Sequence, residues 1–300
     1  MTQQISPSFP SFLSRRSFVT ALVMTPALAA ILAACGDDAQ VASTVPDQIV
    51  HPTGADEVVL RLGYEGGFVP TGYLFVSVPT LLVSGNRVFQ QGATTLEYPG
   101  KLLPAITVRT ISEAGIQKLL DLALKASLLQ TPPDYTAETL VADAPDTVLT
   151  LNAQGSTFTH RAYALGFNFD ANGNPGSELT PARQRLASFV TAVGGLEAAV
   201  GADNLGVITE FVPDTYRFQA RVADPTELES LDPKPTIVDW PADTGVALAD
   251  AVECGSAPAA KVDTVLRAAT QLTYFRDTAN DADTVYALAA VAVLPGDVAC

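Results

Sequence analysis

Residues Thr147 to Tyr163 read TVLTLNAQGSTFTHRAY. Thr147 to Leu151 and Thr157 to Tyr163 are rich in β-branched and aromatic residues, and the turn formers Asn152-Ala153-Gln154-Gly155 lie between them. The stretch therefore predicts a β-hairpin. Upstream, Ser112 is placed to cap a helix in which Ile116, Leu119, Leu120, Ala123 and Ser127 recur at helical spacing, with Ile111 packing on Ile116 as a hydrophobic staple. Further back, Val58 to Leu62, Tyr73 to Val78, Leu81 to Val83 and Val88 to Gln90 read as strands punctuated by Glu65-Gly66-Gly67 and Gly85-Asn86. Downstream, Thr180-Pro181 opens a second helix that carries Leu186, Phe189, Val190 and Val193 on one face until Gly194-Gly195. Meander, helix, hairpin, helix is the order of an α+β fold, an antiparallel sheet with amphipathic helices on one face.

Residues 58–200 form this first unit, and 207–300 read as a smaller α+β subdomain. There Tyr216 to Val222 alternates as a strand and Asp224 to Pro235 is loop-rich. Thr236 to Trp240 is a short strand. Val262, Val265, Leu266 and Ala269 mark a helix from about Pro258 to Thr270. Leu272 to Arg276 and Thr284 to Leu294 then pair around Thr278-Ala279-Asn280-Asp281.

The start of the chain has a different character. Ser14-Arg15-Arg16-Ser17-Phe18 is followed by an Ala-rich apolar run ending in Leu32-Ala33-Ala34-Cys35, the layout of a cleaved export signal. Pro26 interrupts the run, which falls at or below the roughly 20 residues a membrane-spanning helix needs. The arginine pair resembles a twin-arginine export signal, with Thr20 where a Lys often stands, and Leu32 to Cys35 resembles the box of bacterial lipoproteins. The resemblance implies removal of residues 1–34, diacylglycerol on the Cys35 sulfur, and a domain anchored by lipid to the extracytoplasmic face of a cell membrane. Residues 35–57 would then be the lipidated Cys and a flexible tether, rich in Asp, Ser, Thr, Pro and Gly, with His51 exposed within it.

The chain has 300 residues, 17 basic and 32 acidic, a net charge of -15. Loss of Arg15 and Arg16 leaves 15 basic residues and a charge of about -17. Such a field repels phosphate backbones, so nucleic acid is excluded as a partner. With Cys35 acylated, Cys254 and Cys300 remain as one pair in an oxidising compartment and are expected to form a disulfide.

Few residues suggest chemistry. Asp170, Asn172 and Asn174 place oxygen donors at alternate positions of a loop, with Glu178 as a further carboxylate, so calcium could bind there. Pro175 and Pro181 stand where the helix-loop-helix calcium site needs Gly and Glu. Asp243-Thr244-Gly245 matches the aspartic-protease triplet but occurs once, where that chemistry needs two carboxylates sharing a proton. His160 alternates with Phe158 and Ala162 and reads as a packed histidine. No Gly-x-Ser-x-Gly elbow, phosphate loop or zinc cluster is present.

From Val58 to Val193, the Gly-rich turn, the strand pair around Gly85-Asn86, Ile111-Ser112-Glu113 before a Leu-rich helix, and Asp143-Ala144-Pro145-Asp146-Thr147 entering a strand are similar to an uncharacterised domain of secreted bacterial proteins. That resemblance implies the fold and no activity.

The expectation is an envelope lipoprotein without a cofactor. It binds an envelope protein or a small ligand or has a structural role; the alternatives are a secreted hydrolase using acidic residues and a calcium-stabilised binding module. Mass spectrometry of membranes from cells expressing wild type and Cys35→Ala tests the anchor. An N-terminal peptide carrying diacylglycerol is expected from wild type and not from the variant. A full-length, unmodified N-terminus would refute cleavage and lipidation together.

Overall fold

The computed structural model describes residues 48–70, 72–93, 96–136, 141–167 and 180–300. Arg15, Arg16, Leu32, Ala33, Ala34 and Cys35 lie outside these residues, as do Asp170, Asn172, Asn174 and Glu178 of the calcium reading.

Along the chain run β1 (Val58–Glu65), β2 (Leu81–Ser84), β3 (Arg87–Gln91), β4 (Ile106–Thr110), α1 (Glu113–Lys125), β5 (Asp146–Ala153), β6 (Ser156–Tyr163), α2 (Pro181–Gly194), α3 (Leu196–Val200) and β7 (Thr209–Glu210). They are followed by β8 (Thr215–Val222), α4 (Pro225–Ser230), β9 (Thr236–Asp239), β10 (Gly255–Pro258), α5 (Ala259–Ala268), β11 (Thr273–Asp277) and β12 (Asp281–Ala292). The fold is α+β. One antiparallel sheet has seven strands in the order β6-β5-β1-β2-β3-β4-β7, and a second has five in the order β10-β8-β12-β11-β9.

The β5-β6 hairpin forms with a tighter turn than its composition suggested. Gln154 and Gly155 have φ of +55° and +70°, while Asn152 and Ala153 stay paired with Thr157 and Ser156. Two successive positive φ values match the strand twist of a two-residue hairpin. The expected helix caps form too. The Ser112 hydroxyl accepts from the Gly115 N–H at 3.2 Å, and the Thr180 hydroxyl from the Arg183 N–H at 3.3 Å. Helix α1 stops at Lys125, and Ser127 lies beyond it at φ +59°.

Alternate residues of β2 and β3 serve two cores. Leu81, Val83 and Val88 join Leu60, Leu62, Leu149 and Leu151 against Ile116, Leu119 and Leu120 of α1 and Leu186 and Phe189 of α2. Leu82 and Phe89 join Ile106, Tyr216, Phe218, Trp240, Leu266 and Phe275. The second core thus draws on both sheets, and β7 pairs with β4. The stretches 58–200 and 207–300 belong to one compact unit, and the chain leaves the first sheet only after β7.

Several expectations are corrected. Tyr73 to Val78 is not a strand: the Tyr73 N–H donates to Pro70, and those of Phe75 and Val76 to Gly72, in successive turns with Gly72 at φ +83°. The second sheet is mixed, because β9 runs parallel to β11. The intervening chain contains α5, which supplies the crossover a parallel pair needs. Strands β4, β7 and β10 were not expected. Helix α4 lies in the stretch read as loop; Asp224 caps it by accepting from the Thr226 N–H at 2.8 Å.

The folded unit also begins earlier than the tether boundary at residue 57. Ile49 is buried in the first core and exchanges hydrogen bonds with the Gln117 amide at 2.9 and 3.0 Å. The side chain of His51, expected to be exposed, is only 3% accessible and contacts Glu113 Oε1 at 3.0 Å. Gly85 lets this segment lie against the β2-β3 turn, since a Cβ there would come within 2.2 Å of the Thr53 backbone. A polar, aperiodic composition does not prevent one apolar anchor and a set of backbone bonds from fixing a segment.

Cys254 and Cys300 form a disulfide with Cα atoms 5.5 Å apart and 46 positions separating them. On the chain-entropy argument, closing that loop stabilises the fold by about 4 kcal/mol. Reductant is expected to lower the melting temperature by on the order of 10 °C, and to leave Cys254→Ser/Cys300→Ser unaffected. Equal melting of oxidised and reduced wild type would refute the contribution.

Candidate functional site

β1 and β2 are antiparallel neighbours, yet residues 66–80 connect them. Hairpin loops usually have two to five residues, and long structureless loops in compact domains are mostly functional. Gly66 and Gly67, at φ +74° and +82°, turn the chain out of β1. A Cβ on Gly67 would meet the Asp143 carbonyl oxygen at 3.2 Å, and the Phe68 N–H donates to that oxygen at 3.3 Å. The turn leaves Phe68 89% exposed, and the turns that follow leave Tyr73 and Leu74 more than half exposed.

Beneath these side chains lie two cavities of about 450 and 470 Å³, which share Tyr64, Gly66, Leu74, Ser77 and Val78 as lining. The first adds Phe68, Val69, Tyr73 and Val76, with Thr80, Gln91 and Asp143 as polar lining. The second is floored by Gly63, Val148 and Thr150 and reaches Arg61 and Arg217. Arg61 is held by Asp297 at 2.9 Å. Arg217, on β8, lies 5.3 Å from the Phe75 ring centre, and its Nη2 donates to the Phe75 carbonyl at 3.4 Å.

A third cavity of about 420 Å³ holds Lys101, Glu210, Tyr216 and Arg267. Three of its groups are mutually engaged: Asp263 accepts from the Tyr216 hydroxyl and from Arg267 Nε, each at 2.6 Å, and Arg267 also pairs with Glu210. Burial pushes the Tyr216 hydroxyl well above the ordinary tyrosine range, reinforced by its bond to Asp263. Burial opposes the Asp263 charge, but bonds from Tyr216 and Arg267 hold its carboxyl below the usual range. Glu113 is lowered by its bond to His51, and Asp134, Asp224, Asp243 and Asp281 by local bonds to Thr136, Thr226, Lys261 and Thr284. A general acid needs a shift in the other direction.

The other residues singled out in the sequence have structural roles. In Asp243-Thr244-Gly245, Asp243 pairs with Lys261, and the Thr244 hydroxyl accepts from the Trp240 indole at 3.1 Å. His160 is fully buried; its Nε2 donates to the Leu128 carbonyl at 2.8 Å, so Nδ1 accepts from the Tyr135 hydroxyl at 2.7 Å. Arg183, which the sequence did not bring out, is buried and donates to the carbonyls of Tyr135, Tyr163 and Ala164. Among the described residues, no three His, Cys, Asp or Glu side chains are placed to hold a metal. No protein-family model, curated protein or solved structure matches the chain.

The groove escaped the sequence reading, although one signal was there: residues 66–86 carry no charged side chain in a chain that is 16% charged.

Burial lowers the His160 pKa, so the fold favours the neutral ring. With the folded pKa below the unfolded value near 6.5, this stability is present above pH 6.5 and is lost as pH falls from there towards the folded pKa. The loss is at most about 1.4 kcal/mol per pH unit. Urea unfolding at pH 7.5 and 5.5 should show a larger drop for wild type than for His160→Gln; parallel drops would refute the assignment.

Proposed function

We propose that this chain is a cell-envelope lipoprotein, held by lipid on Cys35, whose acidic domain binds a ligand with an apolar body in the groove beneath residues 64–78. The observation that carries this reading is the exposure of Phe68, Tyr73 and Leu74 together over a preformed cavity. Covering such side chains is worth about 1.5–3 kcal/mol each, and contiguous apolar patches on soluble domains mark binding sites. A concave site that combines apolar side chains with a few polar groups is the usual form of a small-molecule pocket. The reading requires no cofactor.

Nile red, a neutral apolar dye, tests the groove without involving charge. Wild type should bind it, and Phe68→Ser/Leu74→Ser should bind at least tenfold more weakly with little change in melting temperature, because both side chains are exposed. Val298→Ser, at an exposed apolar position outside the groove lining, should bind as wild type does. Equal binding by all three proteins would refute the groove.

A further inference from the structure

We infer that the ligand is an apolar monocarboxylate whose carboxylate is received by Arg217. This rests on the groove reading and specifies its ligand. Arg61, Arg87, Arg109, Arg161, Arg221 and Arg267 each meet an Asp or Glu side chain within 4 Å. Among the described residues Arg217 meets none, and neither do Arg185 and Arg276, but of these three only Arg217 lines the groove. Its polar contact is the long bond to the Phe75 carbonyl; its buried Nε has no hydrogen-bond partner, as is also true of the carboxylate-paired Arg87 and Arg109, so the difference at Arg217 lies in the absence of a carboxylate. Arg217 is half-buried, so its guanidinium is only partly shielded from water, and an unmet buried donor carries a cost. The Phe75 ring offsets part of it and holds the guanidinium plane in place.

Arg217 lines the second cavity and Phe68 the first, and the two cavities share a wall. A ligand can therefore lay its apolar body along Phe68, Tyr73 and Leu74 while its head reaches Arg217. The neighbouring charges define that head. Arg61 is neutralised by Asp297, Glu65 of the cavity lining shares Arg161 with Asp146, and Asp143 lines the first cavity, so Arg217 is the one guanidinium of the groove lining that meets no carboxylate among the described residues. One uncompensated positive charge in a strongly negative protein suits a single negative charge better than two. A planar guanidinium also matches the two oxygens of a carboxylate.

The probes are 11-(dansylamino)undecanoic acid and its methyl ester, titrated by fluorescence against the purified protein. A charge-assisted contact predicts that the acid binds at least about tenfold more tightly than the ester. Arg217→Met should weaken acid binding to the level of the ester and leave ester binding unchanged. The preference of wild type for the acid over the ester is a comparison that stands even if the variant fails to fold. Equal binding of acid and ester by wild type would overturn the carboxylate site while leaving the groove. A folded Arg217→Met variant that keeps the preference for the acid would overturn the role of Arg217. Failure of both probes to bind would refute the groove and the carboxylate site together.

Discussion

The architecture depends on β2 being buried on both faces. A strand has side chains on alternate sides, so a four-residue strand in the middle of a sheet can bury everything only if something packs above and below. Leu81 and Val83 meet the helices α1 and α2, and Leu82 meets the core shared with the second sheet. Neither layer can be removed without exposing half of β2 and, through Val88 and Phe89, half of β3. This explains why 58–200 and 207–300, which read as separate in composition, pack as one body.

The same constraint creates the groove. The face of the first sheet away from the helices is covered by the second sheet near β2, β3 and β4, where Leu82, Phe89 and Ile106 supply apolar contacts. Towards β1 and β5 that face carries Arg61, Gly63, Val148 and Thr150, which are small or polar and line a cavity. The connection between β1 and β2 spans the rim of this opening. It is apolar on both sides: Phe75 contacts Arg217, while Phe68, Tyr73 and Leu74 remain in solvent.

What could be read from the sequence was what is encoded locally. Ser112 and Thr180 cap their helices within three residues, and Gln154-Gly155 closes its hairpin within two, so composition and periodicity were sufficient. Strands β7 and β4 are about a hundred positions apart, and two residues of β7 carry no period to detect. Tyr73 to Val78 has the composition of a strand, and only the positive φ of Gly72 reveals turns. The burial of His51 depends on Glu113, 62 positions away. Residue 217 occupies the polar phase of an alternating strand and reads as a solvated arginine; the loop that covers it comes from another sheet.

Charge then separates what the groove admits from what it excludes. A field from a net charge of -15 acts over a Debye length and lowers the local concentration of every anion. A polyanion meets that repulsion along its whole length and gains one guanidinium contact. A neutral apolar molecule meets no repulsion and gains only the burial of Phe68, Tyr73 and Leu74. A monoanion with an apolar body is repelled once, at its head, and that head is the part that meets a half-buried guanidinium, where the attraction exceeds that in open water. The apolar body sets how much surface is buried, and Arg217 discriminates among apolar molecules by the charge at one end. The acidic surface therefore also narrows the proposed ligand, because Arg217 is the one guanidinium of the groove lining that meets no carboxylate.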